Sequence, residues 1–220
     1  MIRFFALFAW ISLAFTPALY ADESPVLIEL FASQNCPACP EAHRTLKSVK
    51  AENDDVLILT WSVDYWDYLG EPDPMAIPEA NTRQAAYVDR LNLRAPYTPQ
   101  SIYDGAKQCP ATRRNRVDEN IDIRRRARAD IAPTLSQIGA TIIVQGAVPD
   151  APLDILLIEY LPPAAHDTGM VNPVVSTQRL GIWNGTEMQV EASCQQSCAV
   201  LLQGQNHGEI IAALELEKPV

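Results

Sequence analysis

The chain has 220 residues, 48% of them apolar and 20% charged, with a formal net charge of −10. That length and composition allow one domain with an appendage, or two small domains with filled cores, and exclude a disordered or fibrous chain. The excess of acid over base argues against nucleic acid as a partner, because binding to phosphates is carried by Lys and Arg.

Residues 1–21, MIRFFALFAWISLAFTPALYA, hold one early Arg, an apolar run and small residues near the end. They read as a secretory signal cut after Ala21; an uncleaved N-terminal anchor is the alternative. Nothing later in the sequence is apolar enough for long enough to span a membrane, so none is expected after cleavage. Export predicts a periplasmic or secreted protein in an oxidising compartment where disulfides persist. The five cysteines are an odd number, so at least one is unpaired or pairs transiently.

Val26 to Phe31 has the length and composition of a buried strand. A polar turn, Ser33 to Asn35, leads to Cys36 and Cys39, and then to EAHRTLKSVKAEN at helical spacing. Strand, turn, C-x-x-C, helix places Cys36 at a helix N-terminus, where unpaired N–H groups and the macrodipole favour the thiolate, with Pro37 in the first turn. Val56 to Val63 is a second buried strand, which completes a βαβ unit with parallel strands. The aromatic and acidic DYWDYLGEPDP follows, and then a helix over Pro78 to Leu91. Gln100 to Tyr103 reads as a strand with Asp104-Gly105 as its hairpin turn.

The spacing predicts a helix from Thr112 to about Ile138, with Val117, Ile121, Ile131, Leu135 and Ile138 on its apolar face. Seven arginines lie between Arg113 and Arg128, and the interleaved acids predict ion pairs on a solvated face rather than an anion site. Around Gly139 the pattern changes. Thr141 to Gln145, Leu153 to Tyr160, Val174 to Trp183, Thr186 to Ala192, Ala199 to Leu202 and Glu209 to Leu216 all look like strands, with Asn184-Gly185 as a hairpin signal. The chain therefore divides into an α/β part over 22–139 with a helical insertion, and an antiparallel, sandwich-like β part over 140–220.

The chemistry lies in the first part. Cys36 and Cys39 read as a redox dithiol, the first attacking and the second resolving. The alternatives are a static bridge or half of a zinc site, and zinc is disfavoured because no second pair stands at ligand spacing. Glu29, in an otherwise apolar strand, is either a buried carboxylate that exchanges a proton with the resolving thiol or an edge residue that reaches solvent. Thr98-Pro99 precedes a strand; the bond is expected to be cis and the loop to offer backbone groups to a bound peptide. Tyr65 and Trp66 follow the second strand, where open α/β sheets place their ligand crevices. Cys194 and Cys198 are predicted to form a disulfide that clamps a hairpin. Cys109 is expected to be buried and inert; His43, four residues after Cys39, can face it, but the expectation is an exposed side chain.

ELFASQNCPACPEA, VDYWDYLG, TRQAAYV, YTPQSIYDG, VNPVVSTQRLGIWNG and the closing AVLLQ…GEIIAAL, in that order, resemble a bacterial secreted thioredoxin-like family of unknown function, domain-of-unknown-function family 1223. The resemblance implies a thioredoxin-like fold, with Cys36 and Cys39 as the family's cysteine pair and Thr98-Pro99 as its threonine–proline loop. The chain departs from the pattern at Ser62, where the family commonly has His, and at Glu71, where it commonly has Trp. Cys109, Cys194 and Cys198 are also outside it. The expected function is thiol–disulfide exchange with protein thiols or disulfides of the cell envelope, without cofactor or metal. An envelope binding module with a permanent Cys36–Cys39 bridge is the second reading, and a Cu(I) carrier the third.

Overall fold

The computed structural model describes residues 24–128 and 133–217; the expected signal segment lies outside them. Eleven strands and three α-helices occur among these residues, in the order β1 (Val26–Ala32), α1 (Cys39–Glu52), β2 (Val56–Ser62), α2 (Pro78–Arg90), β3 (Gln100–Tyr103), β4 (Lys107–Cys109), α3 (Arg114–Ala127), β5 (Thr134–Ile138), β6 (Thr141–Gln145), β7 (Leu153–Tyr160), β8 (Val174–Trp183), β9 (Met188–Glu191), β10 (Ser197–Gly204) and β11 (Ile210–Glu215).

The first sheet has the order β2-β1-β3-β4. β1 and β2 run parallel, as a helical crossover requires, and β3 returns antiparallel to β1. Asp104 and Gly105, both at positive φ, form the β3–β4 turn. Every residue of β1 and of β2 is buried, because both faces of this sheet are covered. Val26, Ile28, Leu30 and Ala32 pack with α1 and α3, whereas Leu27 and Phe31 face the opposite side.

The predicted helix over 112–138 divides in two. Val117 and Ile121 lie on the buried face of α3, which ends at Ala127. Ile131 lies outside the described residues, and Leu135 and Ile138 belong to β5, which pairs with β6. Pro133 explains the switch: it has no N–H to continue a helix and leads naturally into extended chain. The all-β region thus begins at β5, ahead of the boundary expected at 139/140. The arginines are also of two kinds. Arg114, Arg116 and Arg125 make the expected exposed pairs within α3. Arg124 and Arg128 instead clamp the fully buried Asp104, whose carboxylate also accepts the Leu27 N–H. Helix α3 is thereby fastened to the β3–β4 turn.

The remaining strands form two antiparallel sheets, β11-β10-β7-β8 and β5-β6-β9. Leu153, Ile155 and Leu157 of β7 meet Leu135, Ile142 and Val144 of the smaller sheet. Ile158 and Tyr160, with Ala199 and Leu201 of β10, meet Leu27, Phe31, Leu57, Leu59 and Trp61 of the first sheet. Strand β10, inside the sheet β11-β10-β7-β8, is therefore buried on both faces, while the edge strand β8 leaves Ser176 to Arg179 exposed. Asn184-Gly185 does not join a hairpin: β8 pairs with β7 and β9 with β6, so the turn carries the chain from one sheet to the other.

Candidate functional site

Helix α1 opens where the C-x-x-C closes. Its N-cap is Ala38, with Pro40 in the first turn and Glu41 supplying an acid there. Cys36 therefore stands ahead of the helix rather than at its cap, and Pro37 lies in the turn before it. The Cys36 carbonyl accepts the Cys39 N–H at 3.1 Å, a tight turn that feeds the helix. Cys36 and Cys39 are joined in a disulfide with a Cα–Cα distance of 5.4 Å. Each is only 1% exposed, so the two cysteines do not differ in exposure.

Gln34 and Asn35, which lead into Cys36, are held by the loop after β2. Gln34 donates from its backbone to Asp73 at 2.8 Å and from its side chain to the carbonyls of Glu71 and Pro72 at 3.0 Å. Asn35 Nδ2 donates to the Glu71 carbonyl at 2.9 Å. Gly70 suits this crossing because a Cβ there would come within 2.8 Å of Asn35 Oδ1. The same loop carries Tyr65 and Trp66. Trp66 packs against the core that contains both cysteines, and its indole N–H donates to Thr98 Oγ1 at 2.7 Å. Tyr65 donates its hydroxyl hydrogen to Gln84 at 3.2 Å. The Thr98–Pro99 bond is cis. It precedes Gln100, which pairs with Phe31, so it stands at the end of β1 from which the cysteine turn departs.

Glu29 must be reassigned. It is fully buried, but strand alternation turns it to the face of β1 away from the cysteines. There Arg83 and Tyr87 of α2 donate to its carboxylate, each at 2.5 Å, and Arg83 Nη2 also donates to Gln203 of β10 at 2.9 Å. Its partners are a buried ion pair and a phenol that tie α2 to β1 and β10, so proton exchange with Cys39 is excluded by its position.

His43, on the buried face of α1 with Cys39, is a titratable residue on the cysteine side of the sheet. It is 8% exposed, not open to solvent, and its Nδ1 is buried with no hydrogen-bond partner among the described residues. Burial first, then the charge on Lys47, lowers its pKa to about 4, so the imidazole is neutral near pH 7. The signal in the sequence was its spacing, four residues after Cys39 on one helical face.

The distant wall of the site had no clear signal. Cys39, Pro40, His43, Arg44 and Lys47 of α1 line a cleft of about 300 Å³ with Ser33, Gln34 and the loop residues Thr168, Gly169 and Met170. That loop runs back along β2: Thr60 N–H donates to the Asn172 carbonyl at 3.0 Å, Asn172 Nδ2 to the Ile58 carbonyl at 2.9 Å, and Lys47 to the Gly169 carbonyl at 2.8 Å. Residues far along the chain from the cysteines thus complete their cleft.

Cys194 and Cys198 form the second disulfide, with a Cα–Cα distance of 6.4 Å. The loop they close joins β9 to β10, strands of different sheets, so it fastens a crossing between layers rather than a hairpin. Cys109 is free and buried beside Ser101 and Tyr103. No helix among the described residues is long and apolar enough to cross a membrane.

The model of a family described as "Protein of unknown function (DUF1223)" matches residues 27–206. A crystal structure of protein AGR_C_4864 from Agrobacterium tumefaciens is similar over 89% of this chain and 95% of that one, with 26% identity and a TM-score of 0.74. HBP35 of Porphyromonas gingivalis is similar over 89% of this chain and 76% of that one, with a TM-score of 0.57; its 13% identity bears on the fold alone. No curated protein matches the chain.

Proposed function

The chain belongs to this DUF1223 family, and we propose that it is an exported, thioredoxin-like thiol–disulfide oxidoreductase that exchanges its Cys36–Cys39 disulfide with protein thiols of the cell envelope. The observation that carries the reading is the C-x-x-C disulfide between a buried strand and a helix start, with Cys39 lining a cleft. The sheet order β2-β1-β3-β4, with its parallel βαβ unit, supports the thioredoxin-like description. Two disulfides fit an oxidising, extracytoplasmic setting, periplasmic or secreted.

In the exchange, a substrate thiolate attacks Cys36 and the Cys36–Cys39 bond breaks, leaving a mixed disulfide and a thiolate on Cys39. Attack by a second substrate thiol on the substrate sulfur completes a substrate disulfide and frees Cys36; in the reverse direction, Cys39 resolves the mixed disulfide. Thr98, Pro99, Tyr65 and Trp66 are the proposed peptide contacts, because they border the turn from which Cys36 emerges. The near-complete burial of both sulfurs favours a second reading, a permanent bridge in a binding module.

The two readings separate in one experiment. In the native compartment, a Cys39→Ala variant is expected to accumulate mixed disulfides on Cys36, visible on non-reducing gels, and Cys36→Ala to abolish them. In parallel, the couple's potential should fall between ~−120 and ~−270 mV. Absence of trapped partners, together with a potential well below ~−300 mV, would establish the structural bridge instead.

A further inference from the structure

We infer that His43 favours the dithiol form of the Cys36–Cys39 couple over the disulfide, which raises the couple's potential and biases the protein toward donating its disulfide to substrate thiols. The inference rests on the oxidoreductase reading and names a residue that tunes its potential.

His43 is one helical turn beyond Cys39, on the same buried face of α1, and both residues line the same cleft. While the cysteines are joined, Cys39 sulfur has no hydrogen to give and no charge to offer, and His43 Nδ1 is buried without a partner among the described residues. A buried polar atom left unpaired raises the free energy of the state that contains it. Opening the disulfide supplies the partner. As a thiol, Cys39 donates S–H to Nδ1; as a thiolate, it accepts Nδ1–H. A neutral imidazole serves either arrangement by choice of tautomer, and burial with Lys47 and His166 nearby keeps it neutral. The hydrogen bond is thus available in the reduced state alone, and the equilibrium moves toward reduction of the pair.

In one exchange the substrate gives up two electrons and two thiol protons and gains one S–S bond. The couple loses its S–S bond and takes up the two electrons, and the protons reach Cys36, Cys39 or solvent. His43 neither gains nor loses electrons; it acts through Cys39, as a positioning residue.

The test equilibrates wild-type protein, His43→Phe and His43→Gln with glutathione buffers of graded ratio, quenches by alkylation, and measures the Cys36–Cys39 peptide by mass spectrometry. His43→Phe is expected to hold the disulfide about tenfold more tightly, a shift of about 30 mV to more negative potential. His43→Gln keeps a donor and an acceptor at the site and is expected to shift less, which tests the hydrogen bond even if the aromatic variant folds poorly. Equilibrium constants with glutathione within twofold of wild type in both variants, or a shift of opposite sign, would overturn the role of His43 alone. A wild-type couple that does not exchange with glutathione at all would overturn the oxidoreductase reading, and this inference with it.

Discussion

At the scale of single residues, the two sides of β1 carry two different kinds of buried polarity. Glu29 is paired with Arg83 and Tyr87, a charge compensated where it sits. His43 is compensated by nothing among the described residues while the disulfide is closed, and its protonation is suppressed. That suppression has a pH consequence of definite sign. Below its ordinary pKa of 6.5 the unfolded chain takes a proton on His43, whereas the folded chain resists it until about 4. The stability His43 confers is present in full above 6.5 and is lost as pH falls through that value toward 4. A lowering from 6.5 to about 4 corresponds to about 3 kcal/mol. Wild-type protein is therefore expected to lose up to about 3 kcal/mol relative to His43→Gln between pH 7 and pH 4, in parallel urea titrations of the two oxidised proteins. Parallel stability curves would show that His43 titrates normally.

At the scale of elements, what the sequence made legible followed local rules. The cysteine turn, β3 with its Asp104-Gly105 turn, α2 and most C-terminal strands carry their own period or turn chemistry, and they appear where those signals are. The failures came where the outcome depended on a distant partner. β5 resembled more helix because Leu135 and Ile138 continue the spacing of α3, and it became a strand because β6 offers a ladder. Asn184-Gly185 is a sound turn whose flanking strands find better neighbours elsewhere. The segment Thr168–Asn172 lacks periodicity altogether, and its role as the far wall of the cleft comes from its bonds to β2 and to Lys47 of α1. Asn172 concentrates that role: it adopts φ 43°, tolerable for Asn, and its side chain satisfies the Ile58 carbonyl. Asn172→Ala should remove the bond and strain the backbone, lowering stability by about 1–3 kcal/mol. Hydrogen exchange at the Thr60 amide, which donates to the Asn172 carbonyl, should rise in the same variant. Unchanged exchange at Thr60 would mean that the wall is held by the remaining bonds.

At the scale of the whole molecule, the β region and the cysteine-bearing region share one interior. The four-stranded sheet spends one face on the smaller β sheet and the other on β1, β2 and α2, so neither part closes its core alone. Leu27, Phe31, Leu57, Leu59 and Trp61 are each at most 1% exposed, and the side chains that cover them include Ile158, Tyr160, Val174, Ala199, Leu201 and Ile210. Burying a large apolar side chain contributes about 1.5–3 kcal/mol, so uncovering five of them costs about as much as the ~5–15 kcal/mol by which a typical domain is stable. Arg83 would also lose Gln203, one of the acceptors for its buried guanidinium. A truncated protein ending at residue 128 keeps the strand, turn, C-x-x-C and helix intact in sequence, and a modular view would have it fold and exchange disulfides. The shared core predicts otherwise: no cooperative unfolding transition, strong binding of a hydrophobic dye, and aggregation at micromolar concentration. A sharp two-state transition in the truncated chain would show that the first sheet closes its own second face, and that the cleft wall at Thr168–Met170 is an addition to an independent redox unit rather than a part of it.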